Sequence, residues 1–142
     1  MFRKGFNLVE VLLVVVIVII LVFVGVKNFV IYQRDLALKS EALRLKEDLI
    51  RAEVISVKRG RAKFELLGNE GYQISSKGKI YIRRNLPENM QIECSFGSTL
   101  NFFLGLPDKA GNCKLFYSGL PLEYKVTIDN VSGRIRWKKE KT

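Results

Sequence analysis

Glu10 is the only charge in an otherwise apolar run from Phe6 to Val26. A carboxylate inside a membrane helix costs roughly 2.5–3.5 kcal/mol on insertion scales, so it needs a partner or a function. The bland alternative is a glutamate snorkelling to the interface of a plain anchor. Cys94 and Cys113, the only cysteines, lie beyond the run. A disulfide between them would close a loop of about 20 residues and stabilise by about 3 kcal/mol. Two reduced, buried cysteines remain the other reading, since spacing alone does not show whether the Cβ atoms meet. Two cysteines without a histidine make an incomplete metal site. The third set is Gly133-Arg134-Ile135-Arg136-Trp137-Lys138-Lys139. Arg134 and Arg136 alternate with Ile135, which would put both guanidinium groups on one face of a strand. Such a cluster can pair with phosphates, and Trp137 could stack on an unpaired base. The bland reading is an edge strand whose core face is Ile135 and Trp137, with solvated arginines and with lysines that discourage strand pairing.

Several chemistries are excluded or poorly supported. The chain has no histidine, which removes imidazole acid–base catalysis and the usual zinc sites. No glycine-rich phosphate loop or serine-nucleophile elbow appears. Glu47 and Asp48 are adjacent on a predicted helix and diverge, as expected of solvated side chains. Asp108 and Asp129 have no neighbouring carboxylates in sequence that would make a calcium site. No enzyme, metal or cofactor is expected.

The elements that would position these residues are legible. Phe6–Val26 as a helix would be about 32 Å long, enough to cross a hydrocarbon core. Arg3 and Lys4 before the span place the amino terminus in the cytoplasm, and Lys27 weakens that asymmetry only slightly. From Lys27 to Arg59 the helical pattern continues without glycine or proline. Leu36, Leu43, Ile50 and Val57 form one stripe, and Leu38, Ala42, Leu45, Leu49 and Ala52 a second. Ser40, Arg44, Glu47, Asp48, Arg51 and Lys58 fall on the opposite arc. So wide an apolar arc should pack on a sheet, and Lys58-Arg59-Gly60 is a plausible stop.

After Gly60 the sequence reads as short strands. They are Ala62–Leu67, Tyr72–Ser75, Lys79–Arg83, Met90–Cys94, Thr99–Leu104, Cys113–Tyr117, Leu122–Ile128 and Arg134–Trp137. The last two form a hairpin across Asp129–Gly133, and Pro107–Asn112 reads as a loop. The expected class is α+β, one long amino-terminal helix packed on a carboxy-terminal antiparallel sheet. Formal charge is +10, falling to +8 without Arg3 and Lys4, which favours acidic partners such as nucleic acid, anionic lipid or an acidic protein face.

The segment MFRKG/FNLVEVLLVV resembles a type IV prepilin leader and assembly segment. A secretory signal would instead carry its small residues and cleavage site after the apolar stretch. The resemblance implies cleavage by a prepilin peptidase after Gly5, N-methylation of Phe6, and a retained helix that becomes the filament core. Glu10, one turn from the new amine, would then neutralise the amine of a neighbouring subunit and set the axial register. The chain departs from many pilins in lacking a proline near Gly25.

Residues 41–60 resemble the GspH/FimT helix, whose pattern is roughly L-x-x-D-L-x-x-A-R-x-x-A-I-x-R, though Glu53 stands where an arginine is common. Val126–Arg136 resembles that family's closing strand and glycine-arginine turn. The resemblance implies four segments: a leader at 1–5, a transmembrane assembly segment at 6–26, an amphipathic continuation at 27–60 and a β domain with a basic tail at 61–142. It further implies a single-pass protein of the bacterial inner membrane with a periplasmic carboxy-terminal domain, assembled with other pilin or pseudopilin subunits into a periplasmic or surface filament. The expected role is a minor pseudopilin or pilin near a filament tip that supports protein secretion. The alternative is a FimT-like minor pilin that takes up DNA, without sequence preference, through Arg134, Arg136, Lys138 and Lys139.

Overall fold

The computed structural model describes residues 7–141. The chain divides into two compact units, Met1–Asp35 and Leu36–Thr142. In the first unit every described residue from Asn7 to Arg34 is exposed and helical after Asn7. The helix α1 runs Leu8–Arg59. Asn7 begins it, its carbonyl accepting from the Glu10 and Val11 amides at 2.8 and 3.2 Å. β-Branched valine and isoleucine dominate residues 14–20 and are only modest helix formers. Apolar surroundings that leave the backbone no partner but itself favour a helix there. By length and composition α1 can cross a membrane, and none of its most apolar stretch is buried.

In the second unit burial begins at Leu38. Leu38, Ala42, Leu45, Leu49 and Ala52 are all fully buried, so this stripe is the core face of α1. Each buried leucine contributes about 1.5–3 kcal/mol relative to exposure. The heptad stripe behaves differently. Leu36, Ile50 and Val57 remain 48%, 41% and 61% exposed, so only one of the two stripes packs on the domain. Asp48 also departs from expectation, with a side chain only 1% exposed. It follows Leu45 by three residues and precedes Leu49, which puts it at the edge of the buried face. Gly60 closes the helix in a left-handed conformation (φ 88°) that suits glycine.

Among the described residues nine strands follow: β1 Arg61–Leu66, β2 Gly71–Ser76, β3 Lys79–Asn85, β4 Met90–Cys94, β5 Thr99–Phe103, β6 Leu106–Pro107, β7 Gly111–Tyr117, β8 Leu122–Ile128 and β9 Ile135–Lys141. They form two antiparallel sheets rather than one, ordered β3-β2-β1-β5-β6 and β4-β7-β8-β9. The fold is α+β, a long helix followed by antiparallel sheets. A single core joins α1 to both, with Phe64, Ile74, Leu100 and Phe102 from the five-stranded sheet and Ile92, Leu115, Val126 and Ile128 from the other. Inner and outer residues alternate along the strands, as in β1, where Ala62 and Phe64 are buried between outward Arg61, Lys63 and Glu65. The expected loop at Pro107–Asn112 is shorter than predicted, since β6 takes Pro107 and β7 begins at Gly111.

Candidate functional site

Gly5 and Phe6, the predicted processing and methylation residues, lie outside the described residues, as do Arg3 and Lys4. Glu10 sits in the first turn of α1, where a negative charge complements the helix dipole. It is exposed, and its carboxylate has no hydrogen-bond or ion-pair partner among the described residues. Exposed apolar side chains surround it in sequence, with Val9, Val11 and Leu12 at 66%, 49% and 61%. An unpaired acid on an apolar surface is a cost that association can remove, provided the partner brings a positive charge. Gly25 has open space around its Cβ position.

Cys94 and Cys113 are register partners on β4 and β7 and are joined by a disulfide, with Cα atoms 4.0 Å apart. The bond staples two strands of the four-stranded sheet and exposes no thiol chemistry; among the described residues there is no free cysteine. No group of three or more acidic or cysteine side chains that could hold a metal ion occurs among them either. Asp108 is occupied with Asn101, accepting from its backbone and side-chain amides at 3.0 Å each. Asp129 caps its own turn by accepting from the Val131 amide and the Ser132 hydroxyl. These contacts hold its carboxyl below the usual range, the Ser132 hydrogen bond first, with Arg136 adding a smaller attraction.

The four basic residues of the carboxy-terminal segment do not form one face. The expected tail is ordered, since β9 continues to Lys141. Arg134 and Arg136 do come together, lining a depression of about 420 Å³ that they share with Asn112, Thr127 and Asp129. Lys138 lies opposite Lys125 in register, on the same outward face as Arg136. That face also carries acids: Glu123 pairs with Lys114 at 3.0 Å, and Glu140 lies 3.9 Å from Lys125. Lys139 projects to the other side, with its amine 5.9 Å from the centre of the Tyr124 ring. Trp137 is half-buried and stacked on Tyr124 at 5.9 Å, with the Lys39 amine 5.9 Å from its ring. Its ring is therefore already occupied.

A basic surface that the sequence reading missed occurs on the five-stranded sheet. Arg61, Lys63, Ser75, Asn101 and Phe103 project from its outward face, where Lys63 is the register partner of Ser75 and Asn101, and Arg61 of Phe103. The β2–β3 turn adds Lys77. The residues were visible in sequence, but they are spread from 61 to 103 and only strand pairing brings them together. No protein-family model, curated protein or solved structure matches this chain.

Proposed function

We propose that this chain is a minor subunit of a type IV filament, a pseudopilin or pilin of the GspH/FimT kind that acts structurally near the filament tip in protein secretion. One observation carries the reading. The apolar stretch of a helix long enough to cross a membrane stands exposed, with a single acid in its first turn whose carboxylate has no partner among the described residues. Such a helix has two stable environments, a bilayer before assembly and the helices of other subunits afterwards. The exposed stripe Leu36, Ile50 and Val57 supports the same idea, because it gives the domain-bound part of α1 a second apolar side. The proposed location is the inner membrane, with the amino terminus cytoplasmic and the β domain periplasmic. The proposed partners are a prepilin peptidase and sister subunits, and no catalytic role or cofactor is proposed.

The DNA-uptake alternative through the carboxy-terminal segment has less support. Trp137 is stacked, Lys139 faces away from Arg136, and two glutamates share the outward face of β8 and β9. The experiment for the filament reading is co-expression with a prepilin peptidase followed by intact-mass measurement. Loss of residues 1–5 with one added methyl group on Phe6 is expected. Glu10→Ala should be processed equally well yet fail to enter filaments. Cleavage elsewhere, or normal incorporation of Glu10→Ala, overturns the reading.

A further inference from the structure

We infer that the outward face of the five-stranded sheet holds a nucleotide-binding cleft that takes one unit of a single-stranded nucleic acid, with the phosphate on Arg61, Lys63 and Lys77 and the base on Phe103. This site is separate from the carboxy-terminal arginines and does not depend on filament assembly.

The first argument is charge. The cleft has a volume of about 350 Å³, and its lining includes three cations and no carboxylate. That volume is near the lower end of the roughly 300–1,000 Å³ usual for ligand pockets, which suits one small unit. The Arg134–Arg136 depression, by contrast, includes Asp129. Neither the Arg61 guanidinium nor the Lys77 ammonium has a hydrogen bond or ion pair among the described residues, so both side chains keep their full donor capacity; the Arg61 carbonyl is the acceptor of the Ser76 hydroxyl at 2.6 Å. Lys63 gives one donor to Glu65 at 3.0 Å, and Gln73 holds that carboxylate from the other side at 3.0 Å. An ammonium has three donors, so Lys63 keeps two. Lys58 and Arg59 end α1 immediately before Arg61, and Lys79 follows the turn, which extends the positive field around the cleft.

The second argument is local structure. Lys77 and Gly78 form the β2–β3 turn with φ of 50° and 79°. Positive φ at both central positions is the pattern of a type I′ turn, which favours asparagine or aspartate followed by glycine. Lysine is a poor choice there on conformational grounds. It does set a cation at the rim of the cleft, and a local rule broken without structural gain points to function.

The third argument is the aromatic wall. Phe103 is 51% exposed, lies opposite Arg61 and lines the same cleft. An exposed ring beside cations on a sheet face can stack an unpaired base, which every base allows and a duplex does not. A bare phosphate would leave Phe103 without a role. The chemistry therefore points to phosphate plus ring.

The test is fluorescence anisotropy of a labelled twelve-residue oligothymidylate with the full-length chain in neutral detergent, titrated with salt. Arg61→Gln/Lys77→Gln should weaken binding at least tenfold and lower the salt slope by up to about 0.7, the contribution of the one phosphate that these cations share on a single strand. Phe103→Ala should weaken binding about tenfold with an unchanged slope. Arg61→Lys/Lys77→Arg should keep the slope, and Arg134→Gln/Arg136→Gln should bind like the parent. Thymidine 5′-monophosphate should displace the oligomer better than inorganic pyrophosphate does, though far more weakly than unlabelled oligomer. Matched thermal midpoints would show that the substitutions leave the fold intact. The inference is overturned if the parent fails to bind at low salt, or if the tail pair rather than the Arg61/Lys77 pair abolishes binding. It is equally overturned if pyrophosphate displaces best while Phe103→Ala is silent, or if the monophosphate binds as tightly as the oligomer.

Discussion

Replacing Asp48 should destabilise the second unit more than any other single surface-to-core polar change. Its carboxylate accepts from the Tyr72 hydroxyl at 2.9 Å and from Arg84 Nε at 3.0 Å, with an Arg51 nitrogen at 3.6 Å. The partners differ in what they lose. Tyr72 is 1% exposed, so Asp48→Ala strands a buried donor at a cost of about 1–3 kcal/mol. Arg84 and Arg51, with side chains 37% and 59% exposed, can turn to water and lose about 0–1 kcal/mol each. The expected total for Asp48→Ala is about 1–5 kcal/mol once the three contributions are joined. Tyr72→Phe keeps the ring, which packs 5.3 Å from Phe64, and should cost about 1.5–3 kcal/mol for one hydrogen bond to a charged acceptor. The double variant has no stranded hydroxyl, so the two effects should fall short of additivity by about 1–2 kcal/mol. Urea unfolding of the full chain in detergent, followed by fluorescence of Trp137, measures all three. Full additivity, or a cost for Asp48→Ala below about 1 kcal/mol, would falsify the assignment of Asp48 as the buried acceptor.

The same network fixes an alkaline limit. Burial, and then the Asp48 charge, push the Tyr72 phenol well above its ordinary value. A raised folded-state pKa means that the folded chain holds this proton more tightly than the unfolded chain does. The stability it brings is complete below the unfolded value of about 10 and is lost as pH rises beyond it. Tyr72→Phe should flatten that part of the pH profile.

Four further outcomes are expected. Glu53 has a buried oxygen with no hydrogen-bond partner among the described residues, and desolvation raises its pKa, so stability should fall as pH rises above the ordinary carboxylate range. Glu53→Gln should remove that slope in pH-dependent unfolding. Cys94→Ser/Cys113→Ser opens a crosslink spanning 19 residues and should cost about 3 kcal/mol in denaturant titrations. Gly71→Ala would drive a Cβ into the Arg84 carbonyl and should lower the thermal midpoint, consistent with overpacking of about 1–3 kcal/mol. Ser56→Ala should cost about 1–2 kcal/mol, since the Ser56 hydroxyl bonds the Glu53 carbonyl at 2.7 Å and accepts from the Gly105 amide at 2.8 Å.

Much of the fold was legible because it follows from period and punctuation. The bounds of Met90–Cys94 and Leu122–Ile128 agree with the predicted strands, and Gly60 ends α1 where the sequence suggested. Two features were not legible. The division into two sheets depends on β5 pairing with β1 while β4 pairs with β7, a choice made by long-range contacts rather than by local pattern. The burial of Asp48 depends on Tyr72 and Arg84, which lie 24 and 36 residues away. A helical wheel shows that Asp48 borders the apolar face, but it cannot show that a phenol and a guanidinium arrive to meet it.

Register also explains why charge counted along the chain describes the basic surfaces incompletely. From Lys125 onward six basic residues face two acidic ones in sequence, which reads as a positive tail. Pairing β7, β8 and β9 sets Lys114 beside Lys125 and Lys138, and brings Glu123 and Glu140 onto the same face as counter-charges. Alternation along β9 meanwhile sends Lys139 to the opposite side. The cations of β1 and the β2–β3 turn have the reverse history. Arg61, Lys63 and Lys77 look scattered in sequence, yet pairing gathers them around one cleft, and the two acids that adjoin its lining are already held, Glu65 by Gln73 and Lys63 and Asp108 by Asn101. The five-stranded sheet thus sets three cations beside the exposed ring of Phe103, whereas the carboxy-terminal strand offers only Trp137, already stacked on Tyr124.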